Sequence, residues 1–441
     1  MTGPRFGIGA VDRWLARLRA VPNIRDLLVA QGLPLVVQGF VAFFVAAVLG
    51  PRGKGMAALA VTIASLGGAT FFLSMHVGII SAHRRGAKSE VVRAAATAAL
   101  LATVPLLVGL ATGVARVGGG ATLRQQAIFL GLGAVVIDAP MLVLMRTLQG
   151  LGDARRYKMG TLLRVTVYAL LVILLALRSL NPIHVIAAYI AGDVVGICYS
   201  AVALRGLLSE RGNHWPQRAP PGSSGPTFVR GVLLPSLQAQ MAVLSQQAAY
   251  RTDLVLLGFI APLSAVGQYA FATSVAEILW IVSEAISLSL YSSTVRLVSE
   301  GDQLGARAAL RGAMRAQFET TAGGMVVLAA ISYPLIRVVF PAYMSAYPLI
   351  LVLLPGIVVG GGVRLVTSAA IASERQRLVR RCALISICLT PLYIPCILVG
   401  QAMGAAIATD IVYILSVALF LHAERTLPGA GVLSRTGLRA T

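Results

Sequence analysis

Acidic residues are scarce in this sequence, and charge of either sign is low. Asp and Glu number 16 against 37 Lys and Arg, and together they make 12% of 441 residues, about half the roughly 25% of a soluble domain. Too few charges are present to cover the surface of a soluble globular protein of this length, which excludes that class. Cysteine is also sparse. Cys198, Cys382, Cys388 and Cys396 all lie in apolar runs without zinc or redox spacing, and they read as small core residues. A P-loop, a His-Glu-x-x-His helix and a Gly-x-Ser-x-Gly elbow are all missing, so the sequence carries no pattern for ATP-driven transport or for the hydrolases these motifs mark. Short segments of alternating polarity, about 10 residues each in a membrane β-barrel, are missing too.

What the sequence has is apolar length. Hydrophobic residues make up 57% and the mean hydropathy is +0.82. Twelve apolar runs follow one another at 27–49, 56–80, 91–115, 126–148, 162–177, 183–204, 232–259, 265–290, 314–340, 347–372, 379–399 and 402–421. Runs of about 20 residues, apolar on all faces, span a bilayer as helices. The expected fold is an all-α polytopic membrane protein with 12 transmembrane helices. The first run is too long for the core of a cleavable signal peptide and is expected to remain as a span.

A formal net charge of +21 would suggest nucleic acid in a soluble protein. Here the basic residues collect between the apolar runs, so no nucleic-acid partner is expected. Twenty-seven Lys and Arg fall in the termini and even-numbered loops and six at the opposite ends, which predicts both termini in the cytoplasm. The other four, Arg146, Arg164, Arg251 and Arg364, fall within or near the ends of spans; Arg164 reads as a boundary residue.

Segment 1–26 is expected to be cytoplasmic, with Val11, Trp14, Leu15 and Leu18 on one face of a surface helix. Residues 27–205 form a first lobe of six spans and 229–424 a second. The Pro/Gly/Ser-rich stretch 206–228 reads as a cytoplasmic linker, and 425–441 as a tail. Because six is even, the halves share one orientation, related by an axis along the membrane normal. Local repeats support the division. Leu49-Gly50-Pro51 with Gly55-Met56-Ala57 matches Leu257-Gly258 with Gly267-Gln268-Tyr269-Ala270, each between the first two spans of its half. Stretches 149–155 and 371–377 likewise separate spans four and five of each half.

At these loops the chain resembles the polysaccharide-type flippases of the multidrug/oligosaccharidyl-lipid/polysaccharide exporter (MOP) superfamily. The residues are Leu49-Gly50-Pro51 to Gly55, Leu148-Gln149-Gly150-Leu151-Gly152, Thr252-Asp253-Leu254-Val255-Leu256-Leu257-Gly258 into Val266-Gly267-Gln268-Tyr269-Ala270, and Gly404-Ala405-Ala406-Ile407-Ala408-Thr409. The chain departs from the family at Arg52-Gly53-Lys54, where members often carry an acidic residue. The resemblance implies two six-helix lobes around a central cavity, walled by the first two helices of each lobe. By alternating access it would pass a polyprenyl-diphosphate-linked oligosaccharide across the bacterial cytoplasmic membrane for polysaccharide biosynthesis. Membrane lipids would surround it, with polysaccharide polymerase and glycosyltransferases as neighbouring partners. Twelve spans fit this group better than the lipid II flippases, which have fourteen.

Charges inside spans cost about 2.5–3.5 kcal/mol each on insertion scales and mark functional positions. Arg251 on span seven is the first candidate for the substrate diphosphate, with a pair to Asp253 or to an acid of span eight as the equal alternative. Glu277 and Glu284, seven apart on span eight, share one helical face; they either line the path, bind a coupling cation (proton or sodium), or pair with Arg251 and Arg364. Gln31 and Gln38 on span one and His76 on span two offer neutral partners for saccharide hydroxyls. Arg25 stands where a lipid headgroup would arrive. Asp138 and Arg146 on span four read as structural, while Asp193 and Asp410 lack partners in sequence. No enzyme, cofactor or metal site is expected. The alternatives are a multidrug exporter of the same superfamily, a lipid II flippase and, more remotely, a membrane glycosyltransferase.

Overall fold

The first two apolar runs do not meet through a loop. In the computed structural model, which describes residues 24–83, 90–111, 122–151, 153–211, 232–373 and 375–426, they form one element, α1 (Ile24–Phe71), bent at Gly50. Gly50 takes φ 62°, a left-handed conformation that a side chain would strain. Pro51 follows as the first residue of the second arm, where its missing N–H costs nothing. The chain doubles back so tightly that Lys54, expected in the loop after span one, is buried and donates from Nζ to the Ala42 carbonyl at 3.1 Å.

The second run breaks as well. After Phe71 the backbone turns through Leu73 and Ser74, both at positive φ (50° and 47°), before α2 (Met75–His83) resumes. Two consecutive non-glycine residues in this region are unusual and strained. The first lobe continues with α3 (Glu90–Ala111), α4 (Leu123–Gly150), α5 (Ala154–Ala176) and α6 (Pro182–Arg211). Thr122 and Gln125 cap α4 reciprocally, and Asp153 caps α5 by accepting the Arg156 amide, satisfying N–H groups that a helix start leaves open. Helix α6 runs on past Gly206 into the stretch read as linker; the rest of that stretch, the N-terminal amphipathic segment and 427–441 lie outside the described residues.

The second lobe comprises α7 (Leu234–Ile260), α8 (Leu263–Ala276), one 3₁₀ turn at Glu277–Leu279, α9 (Trp280–Ser299), α10 (Gln303–Val339), α11 (Ala346–Ala372), α12 (Gln376–Leu389) and α13 (Tyr393–Thr426). Helix α13 bends at Gln401, φ 47°, and so joins runs eleven and twelve as Gly50 joins one and two. By length and composition, eight described segments are candidate membrane spans. Dividing 36–80 at Gly50 and 384–423 at Gln401 makes ten; the shorter apolar helix 94–108 and α7 complete twelve. The architecture is all-helical with two lobes. The glycines 360–362 admit close neighbours on three sides: a Cβ would meet Tyr413 at Gly360, Gln317 and Ser283 at Gly361, and Met314 at Gly362.

The lobes meet through the residues that repeat between them. A Cβ at Gly55 would collide with the Leu263 carbonyl, and one at Gly267 with the Pro51 carbonyl, so the corner of α1 and the start of α8 cross backbone to backbone. Phe43 packs edge-on to Phe271 at 5.7 Å, and the Tyr343 hydroxyl donates to the Ala46 carbonyl at 3.2 Å. Arg124 reaches across in the other direction, donating to the carbonyls of Phe259 (2.9 Å) and Ala261 (2.6 Å) at the end of α7, where a cation also suits the helix dipole.

A second inter-lobe junction sits at the break. The Gln240 side-chain amide on α7 donates to the Ala69 and Thr70 carbonyls (2.7 and 3.2 Å), which the interrupted helix frees, and Ser74 Oγ donates to Gln240 Oε1 at 2.8 Å. Gln240 is therefore the side chain that makes the break affordable in a dry interior, where unpaired carbonyls would be costly.

Candidate functional site

Four charged side chains converge within the second lobe. Arg251 on α7 donates from both terminal nitrogens to the two carboxylate oxygens of Glu277, at 3.1 and 3.3 Å. This is the fork-to-fork geometry that makes Arg–carboxylate pairs strong and specific. Arg364 on α11 pairs with Glu284 on α9. Its guanidinium also lies over the rings of Trp280 (4.5 Å to the centroid) and Tyr250 (5.2 Å), favourable cation–π positions. Trp280 and Tyr250 are themselves 4.9 Å apart, and Tyr413 closes against Tyr250 at 5.9 Å.

The acids are presented by an interruption of span eight. Glu277 opens the 3₁₀ turn between α8 and α9, a mid-helix geometry often found at hinges. Arg251 stands nine residues before the end of α7, about 14 Å along the axis. The Arg251 side chain is 36% exposed and that of Glu284 37%. Charges so placed in a span need water or a polar ligand beside them, since lipid offers neither.

Asp253 belongs to a different environment. It is buried, accepts the Leu254 amide at 2.7 Å, and takes a hydrogen bond from the Tyr269 hydroxyl, which also meets Thr409 at 3.0 Å. Of the two pairs the sequence offered for Arg251, with Asp253 or with an acid of span eight, the second forms, because Asp253 is held by α8 and α13. Gln38 is exposed. His76 is half-buried and stacked on Phe72 at 5.7 Å, its Nδ1 buried without a partner among the described residues. The side chains of Arg25 and Gln31 lie outside the described ones.

One sequence-based assignment needs correction. Arg164 is not a boundary residue; it is drawn into the first lobe between Asp138 and Asp193. Asp193 therefore has a partner, although it lies 29 positions away. Asp138 faces Arg164 rather than Arg146, which is exposed and donates to Gln149 at 2.9 Å. One readable signal was passed over: Ala191-Gly192-Asp193-Val194-Val195 on α6 repeats as Ala408-Thr409-Asp410-Ile411-Val412 on α13, at the same place in each lobe.

No family model matches the chain, and no curated protein matches it by sequence. Solved structures do match by shape. The lipid II flippase MurJ in an inward-closed conformation is 14% identical with a TM-score of 0.65, covering 91% of this chain and 88% of that one. An inward-facing multidrug-resistance MATE family transporter of the MOP superfamily is 14% identical with a TM-score of 0.60, covering 95% and 100%. A MOP superfamily transporter from Pyrococcus furiosus, described as having a binding pocket of reverse polarity that suggests a different function, is 13% identical with a TM-score of 0.58, covering 91% and 95%. The chain has the multi-pass fold of the MOP superfamily transporters.

Proposed function

We propose that this protein is a flippase that carries a lipid-linked, anionic saccharide across the cytoplasmic membrane by alternating access. The observation that supports it most is Arg251: a permanent cation inside a span, held bidentately by Glu277 and still over a third exposed. A diphosphate can replace the Glu277 carboxylate on the same donor fork, since both present paired oxygens to a planar guanidinium. Arg364 supplies a second cation, kept in place by its aromatic bed, and Gln38 and His76 stand on the first lobe's part of the path. Lipid-linked saccharide is the substrate class that unites a diphosphate, hydroxyls and an apolar tail in one molecule. The Arg–Glu pairs leave these four residues without net negative charge, which speaks against a cation exporter.

Two tests bear on this. Loss of the chain from its host should cause lipid-linked saccharide to accumulate with its sugar on the cytoplasmic face; sensitivity to cationic drugs with normal saccharide export would instead favour a multidrug exporter. By the arginine distribution, a reporter fused after Thr441 should be active in the cytoplasm. Activity outside would invert the proposed direction.

A further inference from the structure

The first lobe holds a second group of charges that the proposed substrate path does not use. Asp138 on α4 and Asp193 on α6 are 2% and 0% exposed, and Arg164 on α5 lies between them. Arg164 Nε donates to Asp193 Oδ1 and Nη2 lies 3.5 Å from Asp138 Oδ1. The Tyr189 hydroxyl donates to Asp138 Oδ1 at 2.9 Å and takes a hydrogen bond from Arg164 Nη2 at 3.1 Å. Tyr168 packs edge-on to Tyr189 at 6.1 Å. Gly192 and Gly196 on α6 make room for Arg164, since a Cβ at either would touch its backbone or side chain.

Two carboxyls face one guanidinium here, and Asp193 Oδ2 is buried with no partner among the described residues. An unbalanced negative charge in a dry interior is strongly disfavoured, and the inexpensive remedy is a proton on one of the two carboxyls. The groups facing the pair are Arg164 and Tyr168 from α5 and Tyr189 from α6. From α1 comes Gly68, where a Cβ would collide with Asp138 Oδ2.

Gly68 also connects the cluster to the junction between the lobes. Its carbonyl accepts the Phe72 amide at 2.9 Å, and the left-handed residues Leu73 and Ser74 follow directly, docked on Gln240. Among the described residues no such cluster forms around Asp410, at the position equivalent to Asp193: it lies against Gly356 of α11, with its Oδ1 buried and unpaired.

We propose that Asp138 and Asp193 form a proton-binding site, one proton shared by the two carboxyls, whose occupancy is passed through Gly68 to the break in α1. Release of that proton leaves two carboxylates with one arginine. Their mutual repulsion presses Asp138 toward Gly68 and shifts the strained turn that ties α1 to α7.

The test uses the purified full-length protein in lipid nanodiscs. Infrared difference spectra recorded across a pH titration should show a buried protonated carboxyl that ionises as the pH rises. Asp138→Asn and Asp193→Asn should each remove it. Spin labels at the exposed positions Val77 and Leu237, with the four native cysteines replaced by serine, should report a distance change over the same range that both variants lose. If the asparagine variants fail to fold, Asp138→Glu should keep the band and shift its midpoint. A spectrum without a titrating buried carboxyl, or one unchanged by both asparagine variants, overturns the proposal. The inference deepens the transport reading but does not share its test: failure of saccharide translocation would leave this band in place, and absence of the band would leave the role of Arg251 untouched.

Discussion

Arg251→Ala abolishes saccharide export while the protein stays in the membrane at its normal level, and adding Glu277→Gln does not restore it. The second half of this expected result carries the discrimination. If the pair served only to hold α7 against the α8–α9 junction, removing both charges would remove the unpaired carboxylate as well, and function would recover. The structural worth of the pair is small, about 1 kcal/mol, because Arg251 is over a third exposed and solvent screens it. Two charge-assisted hydrogen bonds to a diphosphate are worth about 3 kcal/mol or more, at least a hundredfold in rate or affinity. Export of labelled saccharide by the single and double variants, normalised to protein level, decides between the two; recovery in the double variant would reduce Arg251 to a structural residue.

Gly55→Ala is the second large effect. Even one methyl group there runs into the Leu263 carbonyl, and no rotamer relieves a clash between Cβ and backbone. Helices α1 and α8 must separate at their crossing, an overpacking cost of about 1–3 kcal/mol, and the inter-lobe contact made by Phe43, Tyr343 and Arg124 loosens with it. The midpoint of thermal unfolding should fall and transport should drop at least about tenfold. Gly39→Ala on the same helix is the control. A Cβ at Gly39 meets nothing within 4 Å, and alanine favours the helix, so stability should hold or rise. Equal behaviour of the two variants would contradict the crossing as described.

The helical class, the two lobes and the presence of charges in spans seven, eight and ten were legible in the sequence, because apolar length and turn-to-turn polarity are local properties. Pairing of the span-eight acids with Arg251 and Arg364 was among the alternatives the sequence offered; which acid meets which arginine was not legible. Arg251 and Glu277 are 26 positions apart and Arg364 and Glu284 are 80 apart, so no helical spacing joins them. Asp138 read as structural from its place on span four, but its partner Arg164 reaches it from another helix, 26 positions away. The corner at Gly50-Pro51 showed its residues but not its tightness, so the burial of Lys54 was not legible. The break at Leu73-Ser74 carries neither glycine nor proline at the turn itself; what stabilises it is Gln240 on another lobe, and a sequence pattern does not display that.

Movement of an anionic lipid-linked saccharide from one leaflet to the other is the proposed activity. Its most direct test is the purified protein in sealed liposomes carrying a labelled polyprenyl-diphosphate oligosaccharide, with a membrane-impermeant sugar-oxidising enzyme reading the outer leaflet. Wild-type protein should make the label in both leaflets accessible with time, while Arg251→Ala leaves half protected as in empty liposomes. Protection that persists with the wild-type protein, in liposomes where it moves a cationic dye, would contradict the account.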